Sequence, residues 1–159
     1  MKRVVPLDEV GVYRAKLRAE GKKVVGTNGC FDILHYGHVC YLERARAYGD
    51  FLWVGINSDA AVRALKGDGR PINTAEDRAG VLGALRFVDA VTIFDHVRAT
   101  VFLEALQPDV YVKGGDYTEE SLDPEELKVL RGCGARIVIE PFVAGRSTTR
   151  IIERIANVR

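Results

Sequence analysis

Two of the chain's 3 histidines, His35 and His38, stand three positions apart with Gly37 between them, in "TNGCFDILHYGHVCYLERA" over 27–45. Three positions are close to one helical turn, so the two imidazoles face the same way. Side by side they offer a cluster of donors suited to phosphate oxygens, and Gly37 leaves room for a ligand to approach the backbone. A helix start at this place adds unpaired N–H groups and a partial positive charge, which also favour phosphate. The stretch is not a GxGxxG dinucleotide loop, and no GxxxxGK[ST] phosphate loop occurs in the chain. Zinc would need a third ligand at sensible spacing, and none is visible. The alternative is that both histidines are helix caps or surface residues.

These side chains need elements to hold them. "KVVGT" (23–27), "FLWVGIN" (51–57), "AVTIF" (90–94), "VYVKG" (110–114) and "RIVIEPF" (136–142) are short runs rich in Val and Ile. Helical patterns lie between them, over 38–48, 75–86, 98–106 and 124–131, and a last helix begins near 148. Strands alternating with helices predict a parallel sheet of βαβ units, an α/β, Rossmann-like, doubly wound domain of five strands. One domain is expected over 1–159, with an extra N-terminal helix in 1–22 closed by Gly21. "KGDGRPIN" (66–73), with two Gly and a Pro, is expected to be a mobile loop. The turn after strand one then lies at the carboxyl edge of the sheet, where open α/β folds bind ligands.

Composition excludes several classes. A formal net charge of +1 gives no global field for nucleic acid or an anionic membrane. No apolar run reaches the roughly 18 residues of a membrane span, and no signal peptide is visible. Cys30, Cys40 and Cys133 include no CxxC pair, so a reducing cytoplasm is the expected compartment.

"HYGH" resembles the HxGH signature of the nucleotidylyltransferase superfamily, and "NGCFDILHYGH" the form found in its cytidylyltransferase-like branch. The similarity continues through "GINSDAAVRALKGDGRPINTAEDR", "PDVYVKGGDY" and "GRSTTRII". In this order the blocks resemble the bacterial D-glycero-β-D-manno-heptose 1-phosphate adenylyltransferases, here expected to stand alone without a kinase portion. The resemblance implies direct attack of a sugar 1-phosphate oxygen on the α-phosphate of ATP, with Mg²⁺ accompanying the triphosphate. It also implies a homo-oligomer, in the first instance a dimer.

By the same resemblance, His35 and His38 bind the triphosphate and stabilise the transition state. Thr27, Asn28, Gly29, Phe31, Asp32 and Gly37 line the nucleotide and acceptor phosphates, with helix capping as the alternative for Asp32. Lys66 and Arg78 complete the catalytic set, each with a plain surface role as its alternative. Lys113, Gly114 and Asp116 approach the nucleotide from strand four, and Gly145, Arg146, Ser147, Thr148 and Thr149 form a second phosphate cradle. Ser147 also reads as an N-cap, and Thr74 with Asp77 as a capping box.

The remaining features carry no chemistry in this reading. Trp53 and the stripe Phe102, Leu103, Leu106 are expected in the core, and "EESLDPEE" (119–126) as a solvated acidic helix start. Three other functions share parts of the pattern. They are a glycerol-3-phosphate or related cytidylyltransferase (CTP in place of ATP), an FMN adenylyltransferase and a non-catalytic nucleotide-binding or partner-binding module.

Overall fold

The structure, a computed structural model, describes residues 4–115, 118–141, 143 and 145–158. Its elements run α1 Val10–Ala19, β1 Val24–Gly29, α2 Tyr36–Arg46, β2 Phe51–Asn57, α3 Asp59–Lys66, α4 Ala75–Gly83 and β3 Ala90–Phe94. They continue α5 Thr100–Leu106, β4 Val110–Gly114, α6 Pro124–Gly132, β5 Arg136–Glu140 and α7 Thr148–Ala156. The five strands form one sheet in the order β3-β2-β1-β4-β5, and every pair is parallel. This is the doubly wound α/β arrangement. β1 lies between β2 and β4, so connections leave it in both directions and open a crevice at its carboxyl end.

Strand alternation feeds two cores. Val24, Phe51, Trp53 and Tyr111 pack with Phe102, Leu103 and Leu106 of α5 and Leu130 of α6. Val25, Leu52, Val54, Ile56 and Val112 pack with Leu42 and Ala45 of α2 and Leu82 of α4 on the opposite face. Trp53 is fully buried, and its indole N–H is satisfied by the Thr92 hydroxyl at 2.9 Å. Val10 and Leu17 seat α1 in the first core, and its buried Arg14 donates to Asp109 at 2.9 Å. Gly21 ends that helix with φ at 69°.

The strands coincide with the runs read from the sequence, except that β1 is Val24–Gly29 rather than 23–27 and β5 stops at Glu140. Phe142 and Asp116 lie outside the described residues. α3 is an addition. Its start is set by Ser58, whose hydroxyl accepts from Ala61 N–H at 3.2 Å, and it buries only Ala61 and Val62. Lys66, expected in a loop, is therefore the last residue of a helix.

Candidate active site

A cavity of about 620 Å³ opens at the carboxyl ends of β1 and β4. Asn28, Gly29 and Phe31 from β1 and its turn, His35, Gly37 and His38 from the start of α2, and Lys113 and Gly114 from β4 line it. Lys66 enters from the end of α3, and Gly145, Arg146, Ser147 and Thr148 from the start of α7. The strand-end and helix-start segments distant in sequence thus meet in one space.

The histidine pair is the densest part. The two rings stack with centroids 3.8 Å apart and planes 22° from parallel. Phe31 presents its ring to His38 in a T-shaped contact at 5.2 Å, from a left-handed backbone with φ at 47°. A bulky residue holding that conformation is strained, a feature common at ligand sites. His35 is the N-cap of α2 by its backbone, but its imidazole makes no capping hydrogen bond. Instead Nδ1 of both rings is buried with no hydrogen-bond partner among the described residues.

Burial, with the positive charge of Arg146, lowers the pKa of His35 below the ordinary imidazole value. Burial and the neighbouring His35 push His38 down to about 4. Both rings are therefore neutral at pH 7 before a ligand binds. Gly37 is required by packing as much as by any ligand. A Cβ there would lie 3.0 Å from the His35 ring and from Cβ of Arg146.

Ser147 caps α7 as expected, accepting from Arg150 N–H at 3.2 Å. The Thr148 hydroxyl donates to the Ile33 carbonyl at 3.3 Å, tying α7 to the turn before α2. Arg146 lies over the Tyr36 ring at 5.8 Å. Thr149 is the second residue of α7 and does not line the cavity.

Other expected residues sit behind the cavity wall. Thr27 is fully buried, its hydroxyl 2.6 Å from that of Tyr41. Tyr41 in turn donates to Val112 O at 2.8 Å, joining β1, α2 and β4. Gly114 makes room for it, since a Cβ there would meet the Tyr41 ring at 2.9 Å.

Asp32 does not cap α2. Its carboxylate is buried and accepts from the Arg70 guanidinium, from Ile72 N–H at 2.7 Å and from Asn73 N–H at 3.0 Å. Burial alone would raise its pKa, but these hydrogen bonds outweigh burial and hold the carboxyl below its ordinary value. The second half of the segment expected to be a mobile loop is thus fastened to the turn after β1.

Arg78 is 2% exposed and stands outside the cavity lining. Its guanidinium donates to the carbonyls of Asn73 (3.1 Å), Cys30 (2.6 Å) and Asn57 (2.8 Å) and to Asp59 Oδ1 (2.9 Å). The structure places it as a brace joining the ends of β1 and β2 to the starts of α3 and α4. The brace rests on a well-formed helix start, where the Thr74 hydroxyl accepts from Asp77 N–H at 3.2 Å.

Sequence reasoning missed several lining residues. Asn57 is a polar end to an otherwise apolar strand run, a signal available in the sequence. Tyr41 gave none, being one apolar-face residue of α2. Glu126 was read as part of a solvated helix start, whereas it is 6% exposed and lines the cavity. Asp123 explains this. It caps α6, accepting from the N–H groups of Glu125 and Glu126, and turns Glu126 inward to accept Ala99 N–H at 2.7 Å. Cys30 lines the cavity too, but burial pushes its thiol pKa up, so it is not poised as a thiolate.

A family model described as cytidylyltransferase-like matches residues 27–154. The bifunctional protein HldE of Geobacter sulfurreducens is 48% identical over 153 residues, covering 96% of this chain and 31% of that protein. HldE of Geobacter metallireducens is 50% identical over 145 residues, covering 91% and 29%. The chain thus spans about a third of the length of these curated relatives. A crystal structure of the lipopolysaccharide core biosynthesis protein from Thermoplasma volcanium GSS1 superposes with a TM-score of 0.61 at 26% identity. That match covers 77% of this chain and 98% of the other. The cavity at the carboxyl edge, the stacked histidine pair and these matches agree, and the chain belongs to the cytidylyltransferase-like family of nucleotidylyltransferases.

Proposed function

We propose that the chain transfers AMP from ATP to D-glycero-β-D-manno-heptose 1-phosphate, giving ADP-heptose and pyrophosphate. The observation that carries the reading is the stacked pair His35 and His38, whose buried Nδ1 atoms have no partner among the described residues, lining the same cavity as Arg146, Ser147 and Thr148. Two neutral imidazoles, a guanidinium and a capped helix start are a set of donors for a polyphosphate. The choice of heptose rests on the four sequence blocks and on the identity to HldE.

In the reaction an oxygen of the sugar phosphate attacks the α-phosphorus of ATP. The bond from that phosphorus to the bridging oxygen breaks, and pyrophosphate leaves with the electron pair. Such transfer asks the protein for positioning and charge stabilisation rather than covalent chemistry. His35 and His38 donate to the phosphate chain as charge develops, and Arg146 and Lys66 balance the charge on the two substrates. Among the described residues no three His, Cys, Asp or Glu side chains gather to hold a metal. Mg²⁺ accompanying the triphosphate would neutralise charge on the leaving group. Tyr41 in the wall and Thr27, Asp32 and Arg78 behind it hold the frame.

Mass spectrometry of a reaction containing ATP and heptose 1-phosphate tests the proposal. The expected product is ADP-heptose, formed only with both substrates. Nucleotide binding without any product would reduce the chain to a binding module.

A further inference from the structure

Strand alternation divides the cavity between the two faces of the sheet. His35, His38 and Tyr41 belong to the face covered by α2, and Arg146, Ser147 and Thr148 join them from α7. Asn28 and Lys113 point to the opposite face. Lys113 is two residues from Tyr111, which packs in the core formed with α5 and α6. The Tyr111 hydroxyl donates to Asn28 Oδ1 at 2.5 Å, and Lys113 Nζ lies 3.3 Å from the same hydroxyl. Glu126 reaches the cavity from α6 on that side.

The two halves differ in chemistry. Among the described lining residues Glu126 is the single acidic one. A carboxylate repels phosphate oxygens but accepts hydroxyl protons well. An ammonium donates, and an amide both donates and accepts. Together they match a ring bearing several hydroxyls. The α2–α7 half lacks a lining carboxylate and suits polyphosphate.

We propose that Asn28, Lys113 and Glu126 form the acceptor subsite and select a polyhydroxylated sugar phosphate over a simple alcohol phosphate. The subsite rests on the transfer reading above and assigns Lys113 to the sugar rather than the nucleotide. Burial pushes the Lys113 ammonium pKa down, and the negative charge of Glu126 opposes that shift, so the two side chains sense each other.

The test uses Lys113→Met and Glu126→Gln, the latter keeping an oxygen for Ala99 N–H. Calorimetry reads heptose 1-phosphate binding to protein saturated with α,β-methylene-ATP, and ATP binding alone. Loss of a charge-assisted contact predicts about tenfold or greater weakening for the sugar in each variant, with ATP affinity within about twofold. Glu126→Gln should also narrow the preference for heptose 1-phosphate over glycerol 3-phosphate. Weakened ATP binding with unchanged sugar binding overturns the subsite. So do unchanged affinities for both, or a wild-type protein that binds no sugar phosphate. Sugar binding that weakens as expected in a protein that forms no ADP-heptose would sink the transfer reading and leave the subsite standing.

Discussion

The imidazoles of His35 and His38 are stacked at 3.8 Å, and the polar Nδ1 atom of each is buried without a partner among the described residues. A buried, unsatisfied polar atom costs stability, commonly about 1–3 kcal/mol, and such a cost persists where a ligand supplies the missing partner. His35→Ala and His38→Ala should therefore fold normally while turnover drops by about a hundredfold or more, the usual loss for a donor aimed at developing charge. Steady-state kinetics with circular dichroism checks both halves. Near wild-type turnover in both variants would remove the histidines from the chemistry.

Acid stability should carry the signature of His38. Its folded pKa, about 4, lies below the ordinary value of 6.5. Between those values the unfolded chain binds a proton that the folded chain does not, so stability rises with pH there. The contribution is complete above about pH 6.5 and is lost as pH falls toward 4, on the order of 2–3 kcal/mol. Urea denaturation from pH 4 to 8 should show this slope, and His38→Gln should flatten it. An equal slope in both proteins would contradict the buried, neutral assignment.

Arg78 should behave as a brace. Arg78→Met leaves three carbonyls and Asp59 without their donor, which predicts destabilisation of about 3 kcal/mol in urea. A variant as stable as the wild type but without turnover would mean that Arg78 reaches substrate.

The start of α7 combines two roles that separate by substitution. Ser147→Ala should lose about 1 kcal/mol of stability with the cap. Thr148→Val should chiefly raise the nucleotide KM or lower kcat. Stability losses with unchanged kinetics in both would make the segment a cap and nothing more.

The framework was legible in the sequence because strands β2, β3 and β4 are short, mostly apolar runs rich in Val, Ile and aromatic residues, bounded by polar or Gly residues and alternating with helical patterns, as buried parallel strands are. His35, His38 and the start of α7 were legible through type and spacing. α3 was missed although its eight residues are amphipathic and capped by Ser58, because it is only two turns long and runs into the Gly-rich segment read as a loop. The roles of Asp32, Arg78 and Glu126 were also hidden. A charged residue reads as solvated until its partners, here up to 48 positions away, are known. Glu126 looks like its exposed neighbour Glu125 in sequence and differs only by its turn of helix.

The most direct measurement is pyrophosphate release from ATP and from CTP, each with heptose 1-phosphate, glycerol 3-phosphate, FMN and no acceptor. The account predicts rapid release with ATP and heptose 1-phosphate and little with any other combination. Release that favours CTP, or that proceeds equally without heptose 1-phosphate, would contradict it.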